Sequence, residues 1–240
     1  MTEYANIVIK LIKKTDKVNI NSVKEVSKLI TDCIKNDGII YMFGCGHSAL
    51  IAQDCFYRAG GLANIQPIFV PELMLHISAS NSSALEKNEK NAKDILNQYP
   101  IKENDLLFVF SVSGINGVPI EVAKEGREKG LKVIGMGSSS YKRQKSRHSS
   151  KKHLSDYSDV FLDNCVPKGD TVLSVDADTK AVPVSTVISS FLIQSCIYGA
   201  FLNCIDQNIS VDFFGSGNLP ENKERNAILI EKFKQRIKFL

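Results

Sequence analysis

No two of the six cysteines, Cys33, Cys45, Cys55, Cys165, Cys196 and Cys204, form a CxxC pair. Scattered in apolar settings, they read as reduced core residues and not as a disulfide framework. Cys45, His47 and Cys55 are the only close Cys/His set, and their spacing is not that of a structural zinc site. Neither a metal nor a cofactor is expected. Positive charge is not concentrated either. Thirty Lys and Arg face 26 Asp and Glu, for a net charge of +4, with basic residues gathered only at 142–152 and near the C-terminus. A nucleic-acid binder shows a far stronger one-sided excess, so nucleic acid is not an expected partner. No uninterrupted apolar run spans a membrane. The longest, Val182 to Ile205, is broken by Ser189, Ser190, Gln194, Ser195 and Asn203. The opening residues Met1-Thr2-Glu3-Tyr4 lack the basic start and apolar core of a signal peptide, and a cytoplasmic location is the expectation. There is no Pro- or Ser-rich linker and no solenoid repeat. One domain over 1–240 is expected, with a helical segment at 1–37 packed on it and a C-terminal helix at 220–240.

Apolar residues make up 43% of the 240, enough for a sizeable core. Tyr4 to Lys35 carries helical periodicity, with Asn19 or Asn21 as the cap of a second helix. Gly38 to Phe43 is a continuous apolar run, as in a strand buried on both faces. Further strands are expected at Ile65–Val70, Asp105–Phe110, Lys132–Met136 and Asp159–Asp163. Helices are expected at Ala49–Ala59, Ser83–Tyr99, Val118–Lys129, Val182–Asp206 and Pro220–Phe239. Strands alternating with helices imply an α/β fold: a three-layer α/β/α sandwich around a mainly parallel five-stranded sheet. The polar stretch 137–152 is a solvated loop or a flap over the site.

Two short loops carry the chemistry, Gly44-Cys45-Gly46-His47-Ser48 and Ser111-Val112-Ser113-Gly114. Each follows a buried strand and opens a helix. In an open parallel sheet, ligands bind beyond the carboxyl ends of the strands. The first-turn N–H groups of a helix lack internal partners and the helix dipole adds positive potential there. Small residues let an anion approach that backbone, and the hydroxyls of Ser48, Ser111 and Ser113 add donors. The first loop also approaches a dinucleotide fingerprint, but Ala49 stands where the third glycine belongs, which argues against a nucleotide-binding Rossmann protein.

Beyond these loops, the sequence resembles the sugar isomerase (SIS) domain family of phosphosugar-binding proteins over nearly its whole length. The blocks that carry the likeness are Phe43 to Ser48, Phe56 to Leu62, Pro71 to His76, Ser111 to Gly114, Ser146 to Ser150 and Ser185 to Ile188. They are closest to stand-alone bacterial members often described as phosphoheptose isomerases. The resemblance implies a five-stranded parallel sheet of flavodoxin-like or Rossmann-like type, a homodimer or larger homo-oligomer, and a phosphorylated sugar as ligand. It places the phosphate at Ser111, Val112, Ser113, Gly114 and Asn116, with Gly46 and Ser48 on the sugar side. Heptose-phosphate isomerases carry a metal-binding His and a Glu on the helix after the first loop; by spacing these positions hold Asp54 and Arg58 here. Arg58 is neither a base nor a usual ligand.

Isomerisation needs a base to move a proton between carbons next to a carbonyl. His47, Glu72, His76, Glu86, Glu89 and His148 are the ionisable candidates. His47 lies inside the first loop, Glu72 ends a strand on the ligand side, and His148 belongs to a family block. Glu86 or Glu89 matches loosely the glutamate that other SIS enzymes place before the second loop. Glu72, Glu86, His148 and His47 form the expected catalytic set. Two readings compete: an isomerase-type enzyme, or a sensor that binds the sugar without turnover and reports through protein contacts.

Overall fold

The computed structural model describes all 240 residues. It opens with α1, Glu3–Lys35, capped by Thr2, whose hydroxyl accepts from Ala5 N–H at 3.2 Å. This is one continuous helix, not two. Asn19, read as a cap, is instead buried mid-helix. Its Nδ2 donates to Thr15 O and Asp163 O, both at 2.7 Å, and its Oδ1 accepts from Asp163 N at 2.9 Å. A partner remote in sequence thus overrides the local capping signal.

Next come β1 (Ile40–Gly44), α2 (Ala49–Cys55), β2 (Ile65–Ile68) and α3 (Leu75–Leu85). After them run β3 (Leu106–Phe110), α4 (Gly117–Glu128), β4 (Lys132–Gly137) and β5 (Val160–Asp163). The five strands form one parallel sheet in the order β2-β1-β3-β4-β5. One core layer packs β1 residues Ile40 and Met42 against Val26 and Ile30 of α1, Ile51 of α2 and residues 192–200 further on. The opposite layer packs Tyr41 and Phe43 against Val118 and Val122 of α4 and the C-terminal Leu229 and Phe233. The expected three-layer sandwich is present. Pro67 is accommodated because β2 is an edge strand.

Several elements differ from expectation. Helix α2 stops at Cys55, not Ala59, because Tyr57 adopts a left-handed conformation at φ 46°. The helix expected at Ser83–Tyr99 is replaced by α3, bent at Ser78, and two short turns at Glu89–Ala92 and Leu96–Gln98. The side chains of Asn88 and Asn91 bond to nearby backbone, and Asp94 is left-handed at φ 63°, so short polar side chains compete with the helix. A hairpin, β6 (Thr171–Ser174) and β7 (Lys180–Pro183), was not anticipated. It delays α5 to Ser185–Asp206, and α6 covers only Lys223–Phe233. By length and composition α5 is apolar enough to cross a membrane, contrary to the sequence expectation, yet its inner face fills the core against α1 and the sheet.

The Asn19 side chain completes the outer edge of β5. Replacing it by Ala leaves the half-buried N–H of Asp163 without a partner and its C=O with only the weak Cys165 thiol donor at 3.6 Å, which should cost about 1–2 kcal/mol. Urea unfolding checks this; Asn19→Ala with unchanged stability would show that the edge is satisfied otherwise.

Candidate functional site

The order β2-β1-β3 places the switch point of the sheet between β1 and β3. From Gly44 the chain leaves to α2 on one face, and from Phe110 to α4 on the other. A cavity of about 240 Å³ opens there. Gly46, His47 and Ser48 of the first loop and Ser111, Val112, Ser113 and Asn116 of the second lie on its wall. The structure therefore brings the two loops together.

Gly114 turns the second loop at φ 60°, a conformation that favours glycine. Its N–H donates to Ser111 Oγ at 3.3 Å and its carbonyl accepts from Leu154 N at 2.9 Å, so it shapes the loop from behind and does not line the cavity. The backbone N–H groups of Val112, Ser113, Ile115 and Asn116 have no acceptor within the protein. Asn116 caps α4 by position, but its side chain does not bond the helix. Of these four residues, Val112, Ser113 and Asn116 line the cavity, and unpaired amides in a turn before a helix are donors of the kind an anion calls for. No Lys or Arg lines the cavity; its ionisable walls are Glu86, Asp170 and His47, with Tyr141 and Cys45 beside them.

Glu86 is half-buried at the end of α3. Asn116 Nδ2 donates to its Oε1 at 2.6 Å, and Arg147 donates to Asn116 Oδ1. The amide is thus held from both sides and presents the carboxyl to the cavity. Burial raises the Glu86 pKa above the ordinary carboxylate value, opposed by Arg147 and Lys87. Gly117 permits this approach: a Cβ there would lie 2.5 Å from Glu89 N and 2.7 Å from Lys87 O, and Val118 N donates to Glu86 O at 3.0 Å. Burial, with Glu86 adding to it, pushes the Cys45 thiol well above its usual range, which leaves no thiolate nucleophile.

The other expected catalytic residues part company. His47 is exposed on the cavity rim. Glu72 and His76 are exposed and do not line the cavity. His148 is 2% exposed, with Nε2 2.5 Å from Glu121 Oε2 and Nδ1 2.8 Å from Ser150 Oγ. It pins the segment 146–150 to α4. Burial opposes Glu121's ionisation, but hydrogen bonds from Lys124 and His148 prevail and hold its pKa low. Ser149 N donates to Glu89 Oε2 at 2.9 Å and Arg147 N to Ile115 O at 2.8 Å, so the polar stretch is strapped across the second loop, and Glu89 serves that strap. Asp54 and Arg58 pair with each other on the surface, outside the cavity.

Sequence reasoning missed Asp170 and Tyr141. Asp170 Oδ1 accepts from Val184 N at 3.1 Å and Ser185 N at 2.8 Å, and its Oδ2 from Ser185 Oγ at 2.6 Å. It closes the start of α5 while walling the cavity. Gly169 N donates to the Tyr141 hydroxyl at 2.8 Å. The only signal was Ser185 opening an apolar helix, which calls for an acidic or hydroxyl partner.

A carboxyl whose folded pKa is raised destabilises the fold once ionised, a penalty that grows from the unfolded pKa, ~4.3, up to the folded one. Glu86→Gln keeps an acceptor for Asn116 and removes the charge. Its Tm should therefore exceed that of the parent at pH 8 and match it at pH 4. Equal Tm values at both pH values would show that Glu86 is not strained by burial.

The SIS domain family profile matches residues 3–138. A UPF0309 protein of Listeria innocua is 41% identical over 242 residues, covering 100% of this chain and 98% of that one. A second, from Caldanaerobacter subterraneus, is 38% identical over 242 residues, 99% of this chain and 98% of that one. Among solved structures, phosphoheptose isomerase GmhA of Neisseria gonorrhoeae superposes with a TM-score of 0.52 at 18% identity, over 85% of this chain and 95% of that one. The NanR protein of Vibrio vulnificus, complexed with ManNAc-6P, gives 0.51 at 14% identity, over 98% of this chain and 68% of that one. With the parallel sheet, the two loops at its switch point and the family match in agreement, the chain belongs to the SIS domain family.

Proposed function

We propose that this protein binds a phosphorylated sugar and acts on it as an isomerase-type enzyme, with Glu86 moving the proton. The observation that carries the reading is one cavity lined both by Val112, Ser113 and Asn116, whose amides are unpaired, and by a half-buried carboxyl of raised pKa. The phosphate sits against those amides and the hydroxyls of Ser111 and Ser113, with Ser48 and Gly46 beside the sugar. A carboxyl with elevated proton affinity suits general acid–base work near neutral pH. Glu86 takes a proton from the carbon next to the carbonyl and returns it to the neighbouring carbon, and Asn116 keeps the carboxyl aimed. His47, on the rim, serves the sugar oxygens. His148 is a structural pin in this reading, and Glu72 has no part. The structural neighbours named for phosphoheptose isomerase and for a ManNAc-6P complex agree with a sugar-phosphate ligand.

A second reading, binding without turnover, is favoured by one observation. The positions of the heptose-isomerase His and Glu hold Asp54 and Arg58, which are occupied with each other at the surface.

Binding and turnover measured on a panel of phosphorylated heptoses, hexoses and amino sugars separate the readings. Ser111→Ala/Ser113→Ala should weaken binding at least about tenfold, the loss of one or more hydrogen bonds to a charged group at about 1.5 kcal/mol or more each. Glu86→Gln should keep binding and lower kcat by about 10²- to 10⁴-fold, as loss of an acid–base group does. Tight binding with no turnover across the panel selects the sensor. No binding of any sugar phosphate overturns both.

A further inference from the structure

The hairpin β6–β7 is poorly supported by its own chain. A lone two-stranded hairpin is marginal in water, and this one meets the rest of the molecule chiefly through Val172, packed beside Val166 and α1. Val175, at its tip, is 68% exposed, and Val182, at its base, is 42% exposed. Val182 also holds a left-handed φ of 62°, which for a β-branched residue is a costly conformation that persists only when its surroundings enforce it. The tip is acidic. Asp176 Oδ1 accepts from Asp178 N at 3.0 Å and Thr179 N at 2.8 Å, which shapes the turn, and Asp178 projects beside it with no cationic partner.

Beside the hairpin lies a groove of about 710 Å³ between α1 and the loops after β4 and β5. Its floor is apolar, from Ile7, Leu11, Val166 and Pro167, and its rim carries Lys10, Lys14 and Lys180. All three lysines are exposed and none is paired with a carboxylate. Of the nearby acids, Asp163 is engaged by the N–H groups of Ser139 and Cys165, and Asp170 by the start of α5. The same chain therefore carries an apolar, acidic tip and an apolar, basic groove. A two-fold pairing lets each copy insert its tip into the groove of the other, and both contacts form at once. The outward face of α5 continues the apolar surface beyond the hairpin, through Val187, Tyr198, Leu202 and Ile205.

We propose that the occupant of the groove is the β6–β7 hairpin tip of a second copy of this chain, with Val175 on the apolar floor and Asp176 and Asp178 against Lys10 and Lys14. Opposite charges on the two surfaces set the register and exclude misaligned pairings. The docking also reaches the cavity. Ser138 to Ser140 and Val166–Pro167 wall the groove, while Tyr141, Gly169 and Asp170, next along the same two segments, wall the cavity. The partner's tip thus braces one side of the ligand site.

The test uses two charge-reversed proteins, Asp178→Lys and Lys10→Glu/Lys14→Glu, all at exposed positions, with circular dichroism melts as the control for folding. In sedimentation velocity the wild-type chain should be dimeric, and its association should weaken as salt rises. Each variant alone brings a like-charge pair into both contacts and should associate at least about tenfold more weakly. Mixed one to one, each tip faces a groove of opposite sign, and a heterodimer should re-form. A monomeric wild type overturns the proposal. So does a variant that keeps the wild-type mass, because another surface then joins the copies, and so does a mixture that stays monomeric. None of these readouts depends on the sugar ligand, so their failure leaves the reading of the cavity standing.

Discussion

Parallel pairing between β1 and β3 is the constraint on which the rest of this structure depends. It sets Gly44 beside Phe110 and sends the chain from those two residues to opposite faces of the sheet. The crevice so created is lined on both sides by turns that must stay open and small. Everything else at the site is placed from behind: Glu86 by the contact of its segment with Gly117, Asn116 by Arg147, and Arg147 by the pins at Glu121 and Glu89. The polar residues nearest the cavity hold one another in position and leave backbone amides free.

That arrangement explains why Asn116 makes no cap. A capping side chain bonds the N–H of the second or third helical residue; here Val118 N already donates to Glu86 O and Pro119 has no N–H, so the Asn116 amide is left to bond Glu86 and Arg147. Asp170 does the opposite at α5, where it takes up the donors of the helix start and removes them from competition for an anion. The amides left free beside the cavity are those of the loop that leads into α4.

The sheet and the two loops could be read from sequence because a strand buried on both faces is a continuous apolar run, as in Ile40 to Phe43 and Leu106 to Phe110, and because each run ends in small residues. The rest depended on partners far along the chain. Asn19 is of a residue type favoured as a helix cap, but Asp163, 144 positions away, decides its role. His148 has the sequence surroundings of a solvated loop histidine, and Glu121, 27 positions earlier, buries it. The hairpin at 171–183 is short, partly exposed and stiffened by an aspartate turn, so neither periodicity nor apolarity announces it. Glu86 could be proposed from family likeness, whereas the tertiary network that aims it could not.

The layer formed by α1 and α5 has a consequence for how the chain is made. Helix α1 packs on β1 close by in sequence, yet two further surfaces it covers, β5 and α5, lie more than a hundred residues later. Until β5 and α5 are made, the part of its apolar face that they cover has no partner. Contacts of such sequence separation close slowly, and surface exposed meanwhile invites association. Helix α1 therefore completes its packing late, with the step that seals the edge of β5.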